Sequence, residues 1–337
     1  MKVKHKSVSY AKYGYIFCIP FVLAFLVFTL YPIGFTALIG FTDLRGVATA
    51  DFNILWDDPF ANFRTAINAP TFQTALINTP RIWILNFIPQ LGLALLLTAW
   101  FTNDMLRIKG KGAFKVIFYM PNIITAASIA VLFGAIFAHP IGPLNYVLVE
   151  LGITEAPIAF FEARPWTMRL AVAFIQFWMW YGVTMIILIA GVMGISPTLF
   201  EAASIDGATG TQAFLYITIP CLRTILLYVL VTSMIGGLQM FDIPLLFVRG
   251  GNGGPDLATM TTSLFIYNQA FMGSYLFARA AAASMIMFAI IAVLSAILFY
   301  VMRDKDAARI KKERKLANLA EKARAQEQAQ AKGAAAV

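Results

Sequence analysis

About six long apolar runs constrain this chain more than anything else in it: 13–39, 74–101, 113–137, 170–193, 222–247 and 276–302. A run of about 18 or more apolar residues reads as a membrane-spanning helix, because in hydrocarbon only a helix or a closed barrel satisfies every backbone N–H and C=O internally. A barrel would instead show short segments of alternating polarity, and none occur. The expected fold class is therefore all-α, a polytopic membrane protein. Composition agrees: 60% hydrophobic residues, 13% charged and a mean hydropathy of +0.74 exclude an ordinary soluble domain.

A net charge of +9 is compatible with nucleic-acid binding, but the placement of the charge argues against it. Lys2, Lys4, Lys6 and Lys12 precede the first run, Arg107, Lys109, Lys111 and Lys115 follow the second, Arg223 opens the fifth, and a basic tail starts at Arg303. By the positive-inside rule this side is cytoplasmic, which puts both termini and the segment around Glu201 there and leaves Asp57, Asn145 and Asn252 outside. Residues 1–12 form a basic N-terminus, 13–73 the first span with an external loop, and 303–337 a cytoplasmic tail that is helical, disordered or lipid-facing. The first run is too long for a signal peptide and lacks a small-residue cleavage site, so it reads as a retained helix. Cys18 and Cys221 both fall near cytoplasmic span ends, where a disulfide is not expected.

The polar interruption at 201–220 stands out between two spans. Ser196 is placed to cap a helix with Pro197 at its first position, where a missing N–H costs nothing. Leu199, Ala202, Ala203 and Ile205 suit that helix, Asp206-Gly207 stops it, and a second helical stretch runs from about Ala208 toward Pro220. Three residues of Glu-Ala-Ala alone read as a solvated loop. The full spacing, Glu201-Ala202-Ala203, then Asp206-Gly207-Ala208, then Phe214, Ile217 and Pro220, resembles the signature loop of permease subunits of bacterial binding-protein-dependent ABC importers. Ile219, where leucine is usual, and Gly210-Thr211 depart from that pattern.

The resemblance implies that 194–221 is a coupling loop seated in a cleft of a cytoplasmic ATPase, with Glu201, Ala202, Ala203, Asp206 and Gly207 carrying the coupling. It extends to an extra first helix, to a five-helix core over 74–302, and to Arg249-Gly-Gly-Asn-Gly-Gly-Pro255, which resembles a loop of the sugar-type members. That loop reads either as a flexible turn or as backbone approaching a partner closely. The implied partners are a second permease on a different chain, two copies of the ATPase, an extracytoplasmic solute-binding protein and membrane lipid, in the bacterial inner membrane. No Gly-x-x-x-x-Gly-Lys-[Ser/Thr] motif is present, so ATP belongs to the partner and this chain is expected to bind no cofactor or metal and to be no enzyme. The implied solute is a sugar, an oligosaccharide or a related polyol or glycerophosphodiester, with a non-carbohydrate solute as the alternative.

Two other classes fit less well. An intramembrane enzyme needs a catalytic constellation, and His5 and His139 have no partners at metal-ligand spacing. A self-sufficient secondary transporter would show ionisable residues at mid-depth. Asp242, about 30 Å beyond Leu222 along a straight helix, is expected near the outer face. Sugar hydroxyls need hydrogen-bond partners and sugar C–H faces suit aromatic rings, which makes Gln90, Asn122, Trp178, Tyr181, Ser233 and Gln239 candidates for a path among the second to sixth spans. Each residue has a competing reading as helix-joining or space-filling material, and Pro89 as a packing adjustment or a bend.

Overall fold

The computed structural model describes residues 11–46, 51–103, 106, 108–160, 164–248, 251–273, 275–302 and 316–317. Most of the basic N-terminus, Arg107, Glu162, Arg249 and nearly all of the tail lie outside them. Among the described residues the chain is helical, with one isolated bridge between Thr42 and Ile54. The first span comprises α1 (Ala11–Phe25), a π-helical turn (Leu26–Leu30) and α2 (Tyr31–Ile39). Short α3 (Ala61–Ile67) leads to α4 (Pro70–Thr102), then α5 (Lys111–Tyr119) and α6 (Ala126–Ile136), followed by α7 (Pro143–Glu150) and α8 (Pro165–Met193). The polar loop holds α9 (Pro197–Ile205), α10 (Gly210–Ala213), a π-helical turn (Phe214–Thr218) and α11 (Ile219–Cys221). The chain finishes with α12 (Arg223–Leu238), α13 (Asp242–Phe247), α14 (Thr262–Phe271) and α15 (Phe277–Met302).

Two expected spans are broken, not straight. In the third, α5 and α6 meet at 94° through a 3-10 turn at Met120–Ile123. Pro121 has no N–H to continue the ladder, Ile124 and Thr125 are extended, and the Thr125 hydroxyl accepts the Ser128 N–H to start α6 afresh. In the fifth, α12 stops at Leu238 and α13 restarts at Asp242; Thr261 Oγ1 donates to the Met240 carbonyl at 2.8 Å, satisfying one backbone group that the break frees. The second halves, α6 and α13, pack on each other through Ile129, Phe133, Phe137, Ile243 and Phe247. Both π-helical turns also have a proline behind them. Tyr31 and Ile219 donate to the carbonyls five residues back, and the next residues, Pro32 and Pro220, cannot donate at all, so the helix widens by one residue to accommodate the ring.

The centre of the molecule is the long contact of α4 with α8. Phe87, Leu97, Phe101, Tyr181, Met185, Leu188 and Leu222 form one buried cluster, and Phe72, Leu264, Phe265 and Ala283 form another near the start of α4. The described part of the glycine-rich loop, 251–259, is tied down by hydrogen bonds. Thr259 donates both its N–H and its hydroxyl to the Gly253 carbonyl, Asn78 donates to the Leu257 carbonyl at 2.7 Å, and Arg169 donates to that of Ala258. Asn145 is not an accessible position, as outside labelling would need: it is fully buried, donating to the carbonyls of Ala138 and Ile158 and accepting the Ile158 N–H, so it staples the 138–158 segment together. The first span differs from the rest, with none of the Lys12–Ile39 window buried inside this chain.

Candidate functional site

The first part of the site is the polar loop. Pro197 opens α9 as expected, but the Ser196 hydroxyl pairs with that of Thr198 at 2.9 Å and caps no N–H. The far end closes by a Schellman arrangement: Ala208 N–H donates to the Ala203 carbonyl at 2.9 Å and Gly207 N–H to that of Ser204 at 3.1 Å. Gly207 has φ +73°, a left-handed conformation in which a Cβ crowds the backbone, although open space surrounds it. Thr209 starts the second helix with a reciprocal cap, its hydroxyl accepting the Gln212 N–H while its own N–H donates to Gln212 Oε1. The result is two short helices locked at a fixed bend. Glu201, Ala202, Asp206 and Gly207 are exposed and Ala203 is half-buried. Behind the loop lies a cavity of about 690 Å³, walled by Phe101, Lys115, Phe200, Glu201, Ala203 and Phe214 among others.

The second part is a cavity of about 390 Å³ among α4, α8 and α12 with the starts of α6 and α13. Asn86 and Gln90 come from α4, Gln176, Trp180 and Thr184 from α8, Tyr228, Thr232 and Ser233 from α12, and Gln239 and Asp242 from the break in the fifth span. Two cross-helix bonds shape it. Gln90 Nε2 donates to Thr184 Oγ1 at 2.8 Å, and Trp83 Nε1 donates to Ser233 Oγ at 3.2 Å. The Trp83 indole lies against Gly237, where any Cβ would collide with the ring. Amides, hydroxyls and two aromatic faces thus converge in an otherwise apolar bundle, an arrangement able to exchange hydrogen bonds with a polyhydroxylated solute.

The structure brings Gln90, Ser233 and Gln239 of the expected path residues to this cavity. The other three sit elsewhere. Trp178 packs edge-on to Phe133 at 5.2 Å between α8 and α6. Tyr181 packs on Phe118 and Phe177 in the cluster around Phe101 and Leu188, and Asn122 lies half-buried in the turn between α5 and α6. Asn86, Gln176, Trp180, Thr184 and Tyr228 were not expected there. Helical spacing would have found them: 86 and 90 on α4, 176, 180 and 184 on α8, and 228 and 232 on α12 each fall one turn apart on one face. Asp242 also lines the cavity, from the first position of α13, and its neighbour Ile243 shares a buried cluster with Ile82 of α4.

No family model matches the sequence. Curated relatives do. The chain is 32% identical over 297 residues to the lactose transport system permease protein of Rhizobium radiobacter, covering 87% of this chain and 94% of that protein. It is 32% identical over 261 residues to the arabinooligosaccharides transport system permease protein of Bacillus subtilis strain 168, covering 76% of this chain and 77% of that one. Among solved structures, a bacterial ABC transporter involved in the import of the acidic polysaccharide alginate matches with a TM-score of 0.70 at 23% identity, over 87% of this chain and 95% of that chain. At that identity the structural match speaks for the fold alone.

Proposed function

This chain belongs to the family of permease proteins of bacterial sugar ABC transport systems, and from that premise we propose that it forms, with a second permease, the passage for a sugar or oligosaccharide. The observation that carries the reading is the cavity among α4, α8 and α12, where the amides of Asn86, Gln90, Gln176 and Gln239 meet the rings of Trp180 and Tyr228. A sugar entering it exchanges water for hydrogen bonds at its hydroxyls and lays its C–H faces on the rings. Helices interrupted beside such a cavity are the usual way a transporter exposes backbone to a solute inside the membrane.

The energy comes from a separate ATPase that receives the 197–221 loop. Ile205 is 86% exposed and Tyr216 78% exposed on either side of Asp206 and Gly207, apolar surface open to such a partner. Exposed Glu201 offers that partner a carboxylate for a basic group. The bare first span packs on the second permease, an external binding protein delivers the sugar, and both termini face the cytoplasm across the inner membrane. In this reading the chain performs no bond-making chemistry of its own and holds no cofactor.

The test is reconstitution of this chain in proteoliposomes with the ATPase, second permease and binding protein that the reading assigns to it, followed by uptake of labelled disaccharides. Uptake is expected only with ATP and all parts present. Uptake by this chain alone, or driven by an ion gradient without ATP, would overturn the reading.

A further inference from the structure

The cavity between α4, α8 and α12 is polar but not balanced in charge. Its lining on this chain contains one carboxylate, Asp242, and no lysine, arginine or histidine. Asp242 is exposed, stands at the first position of α13, and has no ion-pair partner among the described residues. The α13 helix is a single short turn and a half, so its dipole offsets little of that charge. The other polar groups around it, Gln176, Gln239, Thr232 and Ser233, are neutral donors and acceptors that bind hydroxyls but cannot neutralise an anion.

We propose that Asp242 is a specificity-determining residue that biases the passage against acidic saccharides, so that the cargo is an uncharged or amine-bearing sugar. This rests on the reading of the cavity as a sugar passage. A carboxylate on the cargo would sit within several ångströms of Asp242 with no cation from this chain between them. At an effective dielectric near 20 that repulsion disfavours the anion on the order of tenfold or more, whereas a neutral sugar is unaffected and an ammonium group is favoured. The inference separates this chain from its fold neighbour, whose stated cargo is the acidic polysaccharide alginate. The competing role, a carboxylate that merely suits the start of α13, makes no demand on what enters the cavity.

Thiol labelling reads the charge of the cavity without knowledge of the cargo. In the assembled complex with Cys18→Ser and Cys221→Ala, Gln239→Cys is exposed to a cationic and an anionic methanethiosulfonate, and the ratio of their rates is divided by the ratio for a free thiol. The normalised ratio is expected to favour the cation about tenfold or more, to be kept in Asp242→Glu, to fall near one in Asp242→Asn, and to shrink from 10 mM to 1 M salt. A ratio near one in the Asp242 protein, a ratio unmoved by both Asp242→Asn and salt, or no labelling by either reagent overturns the proposal. Failure of sugar uptake with the labelling ratio intact would count against the passage reading instead, so the two claims fail separately.

Discussion

Gln90 and Thr184 join α4 to α8 by one buried hydrogen bond, and Trp180 stands one turn from Thr184 on the same face. Trp178, two residues from Trp180 on the helix, points away into Phe133. The two tryptophans should therefore fail in different ways. Trp180→Ala is expected to raise the half-saturating sugar concentration several-fold with assembly intact. Trp178→Ala, by removing a packed ring, is expected to cost about 3 kcal/mol of stability, seen as a lower melting temperature of the purified complex, with little change in half-saturation. Equal transport kinetics in both variants would remove Trp180 from the passage. Gln90→Leu should weaken uptake and cost about 1 kcal/mol, since it strands a hydroxyl that can still bond to its own helix, as Thr184 Oγ1 does to the Trp180 carbonyl. The residue types of the site were legible in the sequence, but the azimuth was not. The Gln176-Phe-Trp-Met-Trp-Tyr181 cluster announces aromatic chemistry, and only the packing of α6 on α8 decides which ring faces the cavity.

The elements of the polar loop were readable because their signals are local. Pro197, Asp206-Gly207 and Pro220 each act within a few residues, and the two short helices lie where those residues put them. Thr209 and Gln212 were not read as a cap, though their spacing is that of a capping box. Thr209→Ala should loosen α10 by about 1 kcal/mol, measured as faster amide exchange at 210–213 in the assembled complex; unchanged exchange would deny the cap any role. The breaks in the third and fifth spans were hidden for a different reason. Hydropathy averages over a window, and a bend costs it nothing when the residues at the bend remain apolar. Pro121 marked one break, but the other depends on Thr261, far along the chain, receiving the Met240 carbonyl. Gly237→Val should disrupt that region by driving Trp83 off Ser233, lowering both assembly and uptake, whereas open-sided Gly236→Ala should be tolerated.

For the molecule as a whole, the placement of the basic residues makes an orientation testable, and the cavity lies among α4, α8 and α12 beside the interruption of the fifth span. With Asn145 buried, outside labelling is expected at cysteines placed at Asp57, Tyr146 and Asn252 but not at Ile205, all of which are exposed on the folded chain; labelling at position 205 from outside would invert the topology. The central claim is that force from a separate ATPase reaches this cavity through the fixed bend at Gly207. Because open space surrounds Gly207, substitutions there test backbone geometry and not steric fit. The direct measurement is ATP-driven sugar uptake by the assembled complex carrying Gly207→Val or Gly207→Asn. Asparagine tolerates the left-handed conformation and should keep much of the uptake, while β-branched valine should abolish it with all subunits still assembled. Uptake at the unmodified rate in an assembled Gly207→Val complex would contradict the claim.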